Sequence, residues 1–235
     1  MHPAHIAELL EPFLEPTRRP EPKTQDLLPI ISTYIDILLR WNARINLTAV
    51  RDPEEIVTRH FGESLFAARH LFPATTSVGT AALGCAPERS SAVRVADLGS
   101  GAGFPGIPIK LWAPQVALTL IESNQKKVAF LREVARALTL TDINIFSARA
   151  ESLSASFDLV TVRAVERFHN VLPAAARLLA PGGRLALLIG APQADLARVS
   201  LATLAWQKPL AVPLSRSRVL LVGLSPYTPA TQPEP

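Results

Sequence analysis

The sequence VRVADLGSGAGFPGIP, at residues 93–108, decides the predicted fold of this chain. Its opening residues are mostly apolar and predict a buried β-strand, and the glycine-rich residues after them predict a tight loop that leads into a helix. Glycine lets the backbone turn sharply and approach a ligand without a clash from a Cβ atom. The stretch therefore predicts a strand–loop–helix unit whose loop binds a nucleotide-like cofactor.

The glycines of this loop fit two cofactor motifs. The dinucleotide motif GxGxxG is matched by Gly101, Gly103 and Gly106. The acidic-x-G-x-G-x-G motif typical of S-adenosylmethionine sites is matched by Asp97, Gly99, Gly101 and Gly103. A carboxylate at the strand end repels a diphosphate but suits the amine-bearing methionine part of S-adenosylmethionine, and Pro105 removes one N–H donor from the helix start. The loop favours S-adenosylmethionine, and an NAD-dependent oxidoreductase is the alternative.

Two further segments are predicted to contact the cofactor. Glu122 ends the predicted second strand, 23 positions after Gly99, near the spacing of about 20 residues for a carboxylate that binds ribose hydroxyls. Ala150 and Glu151 follow the predicted third strand, where the loop of this fold lies over the adenine. We expect backbone N–H groups there to read the adenine ring, and Glu151 is equally suited to be a charge at a helix start.

Strands and helices alternate after residue 93. The predicted strands are 93–99, 116–122, 142–148, 157–164, 184–190, 208–213 and 218–223. This alternation predicts an α/β fold, a Rossmann-like doubly wound and mostly parallel seven-stranded sheet, with an N-terminal helical extension. Together with the glycine loop, it predicts a fold of the S-adenosylmethionine-dependent methyltransferase type. The predicted organisation is a helical extension at 1–72, a linker at 73–92, a methyltransferase domain at 93–225 and a Pro-rich tail at 226–235.

Composition restricts the class of protein. The chain has 235 residues, 48% of them hydrophobic, which is enough to bury the core of one domain with an extension. Its single cysteine, Cys85, excludes a disulfide within the chain and a cysteine-based zinc cluster. No apolar run reaches the roughly 18 residues of a membrane span. We expect a cytoplasmic monomer without a metal, and the net charge of +4 is compatible with a phosphate-rich partner.

The predicted fourth strand ends in residues that narrow the methyl acceptor. Thr161-Val162-Arg163-Ala164 stands where enzymes that methylate exocyclic base amines usually have a polar-Pro-Pro-aromatic loop. Cys85 is misplaced for attack on cytosine, so an acceptor that is already nucleophilic remains, and N7 of guanine fits. Arg163 ends a central strand, where it would hold the guanine, a phosphate or the cofactor carboxylate, or form a structural ion pair. Arg149 is a weaker candidate of the same kind.

Several segments together resemble the RsmG (GidB) family. They are Trp41-Asn42, Ile45-Asn46-Leu47-Thr48, Arg51-Asp52-Pro53, Arg59-His60 with Ser64, residues 97–108, Lys126-Lys127-Val128 with Phe130-Leu131, Arg149-Ala150-Glu151 and Arg163-Ala164-Val165. The resemblance covers about residues 30–190 well and the final strands loosely. A glycine loop alone is generic, whereas the same loop preceded by this N-terminal signature is specific.

The resemblance implies a function and roles for individual residues. It implies methylation of guanine N7 in 16S ribosomal RNA, with the RNA or the small ribosomal subunit as partner. By motif match, Gly99, Phe104, Ala150, Glu151 and Arg163 would contact S-adenosylmethionine. Asn42, Asn46, Arg59 and His60 would lie near the cofactor or the RNA entrance, with helix capping or a satisfied polar core as the alternative for Asn46 and His60.

Two positions depart from the family pattern. The family usually has Leu-Lys-Gly after the fifth strand, and this chain has Leu188-Ile189-Gly190. The last strand of the family usually ends in a lysine, and here it ends in Leu224. Loss of two cations weakens contact with phosphate, so a non-catalytic or altered-specificity relative that binds S-adenosylmethionine is a second hypothesis.

Overall fold

A mixed β-sheet forms the centre of the computed structural model, which describes residues 1–14, 22–73, 92–163 and 168–227. Within these residues the sheet has eight strands. They are β1 (Arg94–Leu98), β2 (Ala117–Ile121), β3 (Ile143–Phe146), β4 (Phe157–Arg163), β5 (Leu179–Gly190), β6 (Ala205–Trp206), β7 (Leu210–Ala211) and β8 (Arg218–Leu224). The predicted α/β fold is thereby confirmed.

The strand order is β3-β2-β1-β4-β5-β8-β6, and β7 also pairs with β8. Strands β1 to β5 are parallel, while β8 runs antiparallel to β5. The chain proceeds from β1 to β2 on one side and returns to β4 on the other side of β1. Open α/β sheets bind ligands at the carboxyl ends of the strands where the order reverses in this way.

The edge of the sheet differs from the prediction of seven strands. The predicted strand at 208–213 is reduced to Leu210–Ala211, and Ala205–Trp206 pairs separately with β8. The predicted helix near 193–205 ends at Ser200, which leaves residues free for this extra pairing. Strand β5 begins at Leu179 rather than at 184, because Leu179 pairs with Phe157 of β4 before a shift in register.

Eight α-helices are described, and they cover both faces of the sheet. They are α1 (Pro3–Leu10), α2 (Pro22–Ile45), α3 (Pro53–Ile56), α4 (Glu63–Leu71), α5 (Gly106–Trp112), α6 (Gln125–Ala137), α7 (Phe168–Arg177) and α8 (Gln193–Ser200). The predicted helix at 53–71 begins as expected, since Asp52 Oδ1 accepts the Glu55 N–H at 2.8 Å. Its middle, Val57–Gly62, is a π-helical segment that joins α3 to α4.

Two apolar clusters form the core, one on each face of the sheet. Leu187 belongs to one and Leu188 to the other, because successive side chains of a strand point to opposite faces. The N-terminal helices share one cluster with the sheet, so that Tyr34 and Phe61 are buried together with Ile107. The domain boundaries remain a prediction, because residues 74–91, with Cys85 and most of the predicted linker, and residues 228–235 lie outside the described residues.

Candidate functional site

The glycine loop runs from the end of β1 to the start of α5, at the carboxyl edge of the sheet. Gly99, Gly101 and Gly103 have positive φ angles of 72°, 55° and 81°, a region that residues with a Cβ rarely adopt. The N–H groups of Gly99 and Ser100 donate to the carbonyl oxygen of Ile121, at 3.0 and 3.1 Å. The loop is thereby fixed over the ends of β1 and β2, where the sequence places the cofactor.

The glycines have different neighbours. A Cβ atom on Gly103 would lie 2.4 Å from the Tyr34 hydroxyl, and one on Gly106 would lie 2.8 Å from Asp97 Oδ2. A Cβ atom on Gly101 would meet nothing closer than the Gly99 carbonyl oxygen at 3.8 Å. Gly103 and Gly106 are therefore required by packing within the protein, whereas Gly101 faces the open side of the loop.

Asp97 lies beneath the loop and is 1% exposed. Its Oδ1 accepts the Thr161 hydroxyl at 2.8 Å, and its Oδ2 accepts the Gly106 N–H at 3.2 Å. Burial raises the pKa of the Asp97 carboxyl to about 6, and the hydrogen bonds from Thr161 and Gly106 oppose that rise. These contacts tie β1, β4 and α5 together, and contact of Asp97 with a cofactor remains a prediction.

Glu122 lies beside the loop and is largely buried. Its Oε2 accepts the Gly101 N–H at 3.0 Å, and its Oε1 accepts the Asn124 N–H at 2.8 Å. Each carboxylate oxygen has a second lone pair that can accept from a hydroxyl group. The predicted ribose-binding carboxylate therefore lies directly against the glycine that faces the open side.

An aromatic stack connects the glycine loop to the N-terminal helices. The Phe104 ring is stacked on Tyr34 at 5.3 Å and on His60 at 4.9 Å, and Phe61 meets it edge-on at 5.0 Å. The Tyr34 hydroxyl donates to the carbonyl oxygen of Ala102. Tyr34 is missing from the predicted site residues because its helical spacing indicates only a core position.

His60 is held in one protonation state. Its Nε2 lies 2.8 Å from the Thr48 hydroxyl and its Nδ1 lies 3.2 Å from Arg163 Nη2. A guanidinium can only donate, so Nδ1 accepts from Arg163 in the tautomer that carries its proton on Nε2. Burial, reinforced by the positive charges of Arg163, Arg59 and Arg218, lowers the pKa of His60 to about 3. The imidazole is thus neutral at physiological pH, with both nitrogens engaged.

Arg163 ends β4 and is 92% buried in a cluster of polar groups. Its Nη2 donates to Glu63 Oε2 at 3.0 Å and to the carbonyl oxygen of Arg59. Glu63 Oε2 also accepts from Arg218 Nη1 at 3.0 Å, so that one carboxylate joins two arginines from different strands. Burial lowers the pKa of Arg163 to about 10, which still leaves the guanidinium charged at neutral pH. Arg163 Nε is buried without a hydrogen-bond partner.

The π-helical segment explains why these groups meet. A π-helical turn has one residue more per hydrogen-bonded ring than an α-helical turn, which redirects its carbonyl groups, and such segments are frequent at functional sites. Here it presents the Arg59 carbonyl oxygen and the His60 ring to Arg163, and Glu63 follows it directly. The sequence resemblance identifies Arg59, His60 and Arg163, but it does not identify Glu63 or Arg218.

Asn42 and Asn46 support the turn that carries Thr48. Asn42 is buried and its Oδ1 accepts the Thr48 N–H at 2.9 Å. Asn46 has a φ of 50°, and its Oδ1 accepts from Arg51 Nη2 at 3.3 Å. These contacts lie within the protein and position Thr48 against His60, whereas contact of Asn42 and Asn46 with substrate remains a prediction.

The loop after β3 forms a short 3-10 turn, Ala150–Ser152. Ala150 is buried and its carbonyl oxygen accepts from Arg177 Nη2 at 2.6 Å, while Arg149 and Glu151 are exposed. Arg177, at the end of α7, is a further positioning residue that the sequence does not reveal. Roles for Arg149, Ala150 and Glu151 remain predictions.

The described part of the chain holds neither a metal-binding cluster of acidic, histidine or cysteine side chains nor a membrane-spanning helix. No three His, Cys, Asp or Glu side chains in it are grouped so that they could hold a metal ion. Among the helices described, none has both the length and the apolar character needed to cross a bilayer.

Comparison with protein families gives a match over most of the chain. The matching family model is GidB, described as rRNA small subunit methyltransferase G, and it matches residues 28–215. A ribosomal RNA small subunit methyltransferase G of Xanthomonas campestris pv. campestris is 39% identical over 159 residues. That alignment covers 67% of this chain and 66% of the relative, which is just under two thirds of its length. The protein of the same name from Xanthomonas euvesicatoria pv. vesicatoria is 38% identical over 194 residues, covering 80% of this chain and 82% of the relative.

Solved structures share the fold at low sequence identity. A ribosomal protein L11 methylase from Lactobacillus delbrueckii subsp. bulgaricus has a TM-score of 0.54 at 17% identity, covering 71% of this chain and 79% of that one. TrmN from Thermus thermophilus has a TM-score of 0.52 at 19% identity, covering 72% of this chain and 53% of that one. At these identities the likeness concerns the fold alone.

Proposed function

This chain belongs to the GidB family of small-subunit ribosomal RNA methyltransferases, and from this premise we propose that it transfers a methyl group from S-adenosylmethionine to N7 of a guanine in 16S ribosomal RNA. The partner is the RNA or the small ribosomal subunit, and the place of action is the cytoplasm, where the chain acts as a monomer without a metal. The family is a methyltransferase family, so the oxidoreductase alternative is not retained.

The hydrogen bond from the Gly101 N–H to Glu122 Oε2 is the observation that best supports S-adenosylmethionine as the cofactor. Glu122 lies 3.0 Å from the amide of the glycine that faces the open side of the loop, which fits a nucleoside whose ribose hydroxyls reach a carboxylate. The bound cofactor supplies a methyl group on a cationic sulfur. The residues proposed to bind it are Asp97, Gly99, Gly101, Gly103, Phe104, Glu122, Ala150, Glu151 and Arg163.

The state of His60 favours an acceptor that needs no deprotonation. Both its ring nitrogens have partners within the protein and its pKa is near 3, so it is a very weak base for taking a proton from the acceptor. N7 of guanine carries a free lone pair in the neutral base, so that orientation and exclusion of water are sufficient. Arg163 is the residue proposed to orient the reacting groups, and its buried Nε has no hydrogen-bond partner within the protein.

The proposed RNA-binding residues lie around this centre. They are Asn42, Asn46, Arg59, His60 and Arg149. Arg59 is exposed on the π-helical segment, while its carbonyl oxygen holds Arg163. An RNA contact at Arg59 would therefore lie directly beside the proposed catalytic arginine.

Methyl transfer can be tested with small ribosomal subunits that lack this family's modification. Tritium from labelled S-adenosylmethionine should appear in the 16S RNA, and nuclease digestion should release labelled N7-methylguanosine. Labelled product at another base position would refute the N7 assignment. Tight binding of S-adenosylhomocysteine without any methyl transfer would support the second hypothesis, that the chain is a non-catalytic relative. That hypothesis is based on the buried Ile189, which stands where the family usually has a lysine.

A further inference from the structure

A pocket of about 470 Å³ adjoins the Glu63 carboxylate. Its wall on one side is the π-helical segment with Arg59, and on the other side it is the turn between β7 and β8 with Leu214, Arg216 and Arg218. We call this cavity the arginine pocket. Arg218 and Ser217 also line a neighbouring cavity at the end of β5.

Positive charge dominates the lining of the arginine pocket. Its lining includes three arginines, Arg59, Arg216 and Arg218, and one acidic residue, Glu63. The Glu63 charge is already shared between Arg218 and the buried Arg163. Arg59 also pairs with Glu55, but both side chains are about half exposed, so a stronger anion can compete for that guanidinium. The pocket is therefore suited to an anion with several acceptor oxygens.

Leu214 stands at the rim of the pocket in an unusual conformation. Its φ is 57°, in the left-handed region that non-glycine residues rarely occupy, and it is 73% exposed. The turn is closed by the Val212 N–H donating to the Arg218 carbonyl oxygen at 3.0 Å and by the Ser215 N–H donating to the Val212 carbonyl oxygen at 3.3 Å. The positive φ of Leu214 costs free energy within this chain, and strained residues of this kind are found at ligand sites.

We infer that the arginine pocket binds a backbone phosphate of the substrate RNA, and that Leu214 packs against the nucleoside beside that phosphate. The inference rests on the proposed function and adds a second, separate contact with the RNA to it. Guanidinium groups bind phosphate oxygens in a bidentate manner, and an apolar side chain next to them suits a ribose or base face. Glu63 connects this contact to Arg163, one side chain away.

The test measures binding of fluorescent 16S RNA fragments by three variants, Arg216→Gln, Leu214→Asn and the control Arg132→Gln. Arg132 is exposed on α6 and lies outside the pocket, so its substitution removes the same charge elsewhere. Loss of one phosphate contact should weaken binding by about eightfold near 0.1 M salt and reduce the salt slope by about 0.9. Arg216→Gln should show this change and Arg132→Gln should not.

Leu214→Asn separates binding from structure. Asparagine tolerates a positive φ better than leucine does, so the variant should keep the melting temperature of the parent protein while its RNA affinity falls severalfold. A lowered melting temperature with unchanged RNA affinity would show that Leu214 serves the fold, and would overturn its part in the proposal.

Guanosine monophosphate and inorganic phosphate distinguish RNA from a free nucleotide as the source of the phosphate. Millimolar concentrations of either should leave most RNA bound, because the RNA chain makes additional contacts. Micromolar binding of the mononucleotide that is lost in Arg216→Gln, with RNA binding unchanged, would overturn the proposal in favour of a nucleotide site.

Failure of this inference can be told apart from failure of the proposed function. Suppose that the parent protein transfers methyl groups, while Arg216→Gln and Arg132→Gln have equal RNA affinity and salt slope. This result would overturn phosphate binding by the arginine pocket and would leave the proposed methyltransferase function standing. A lowered salt slope in Arg216→Gln alone, in the absence of methyl transfer by the parent protein, would support phosphate binding by the arginine pocket. The same result would overturn the proposed methyltransferase function.

Discussion

Arg163 at the end of β4 and Glu63 at the start of α4 form a buried ion pair, with Nη2 and Oε2 3.0 Å apart and both side chains no more than 6% exposed. The same carboxylate oxygen also accepts from Arg218 at 3.0 Å. Glu63 is thus the negative charge shared by two arginines at the carboxyl edge of the sheet. The residue proposed to orient the reacting groups depends on it for both charge balance and position.

Substitution Glu63→Gln tests this dependence. It leaves two neighbouring guanidinium groups without their carboxylate, and removal of one partner of a buried pair costs about 3 kcal/mol of unfolding free energy. Urea unfolding measures this loss, and methyl transfer should fall with it. The matched control is Glu55→Gln, which breaks the half-exposed pair with Arg59 and should cost less than about 1 kcal/mol. Equal losses in both variants would refute the special position of Glu63.

Tyr34→Phe tests whether the aromatic stack holds the glycine loop. The change removes the hydroxyl of the fully buried Tyr34 ring. The Ala102 carbonyl oxygen then loses the hydrogen bond that this hydroxyl donates to it. We expect a loss of about 1–2 kcal/mol in unfolding free energy and weaker binding of S-adenosylhomocysteine by calorimetry. Tyr227→Phe alters an exposed ring and should change neither quantity. Unchanged cofactor affinity in Tyr34→Phe would separate the stack from the binding site.

Gly103→Ala and Gly101→Ala distinguish packing from ligand approach. Both place a Cβ atom at a positive φ, but only at Gly103 does it clash with a protein atom, the Tyr34 hydroxyl at 2.4 Å. In the absence of cofactor, Gly103→Ala should lose about 3 kcal/mol and Gly101→Ala about 1 kcal/mol of unfolding free energy. Binding of S-adenosylhomocysteine should nevertheless fall strongly in Gly101→Ala. Parent-like affinity in that variant would contradict the assignment of the open side of the loop to the cofactor.

The pH dependence of stability should contain two opposing terms. His60 has a folded pKa of about 3 against 6.5 ordinarily, so its unfolded form binds the proton first and stability is lost as pH falls below about 6.5. Asp97 has a folded pKa of about 6 against 3.8, so its folded form binds the proton and stability is lost as pH rises towards 6. Between about pH 3.8 and 6 each group binds its proton in one state only. Their contributions to the slope of unfolding free energy against pH have opposite signs there and nearly cancel.

Single variants should reveal each slope. Relative to the parent protein, His60→Gln should make the slope of unfolding free energy against pH more negative by about 1 kcal/mol per unit between about pH 4.5 and 6. Asp97→Asn should make it more positive by a similar amount, because the amide does not titrate. Urea unfolding across this range measures both slopes. Parallel profiles for all three proteins would show that neither group titrates abnormally.

The sheet and the cofactor loop could be predicted from local sequence. Apolar runs followed by glycines identify β1 and its loop, and Glu122 is found by its distance from Gly99, because strand–loop–helix units have a nearly fixed length. At the edge of the sheet, local sequence does not predict β6, and it predicts β7 as a longer strand at 208–213. Each has only two residues, and both exist because β8 offers free backbone groups for pairing.

By itself the sequence determined the α/β class, the glycine loop, the carboxylate at the end of β2 and, through its motifs, the family. Only the tertiary structure decided that Tyr34 and His60 enclose Phe104. It also decided that Glu63 meets Arg163 and Arg218, which lie 100 and 155 positions further along the chain. A glycine loop is a local property of the backbone, and its spacing leaves a mark in the sequence. A buried charge cluster depends on which distant segments pack together, and a single sequence does not record that choice.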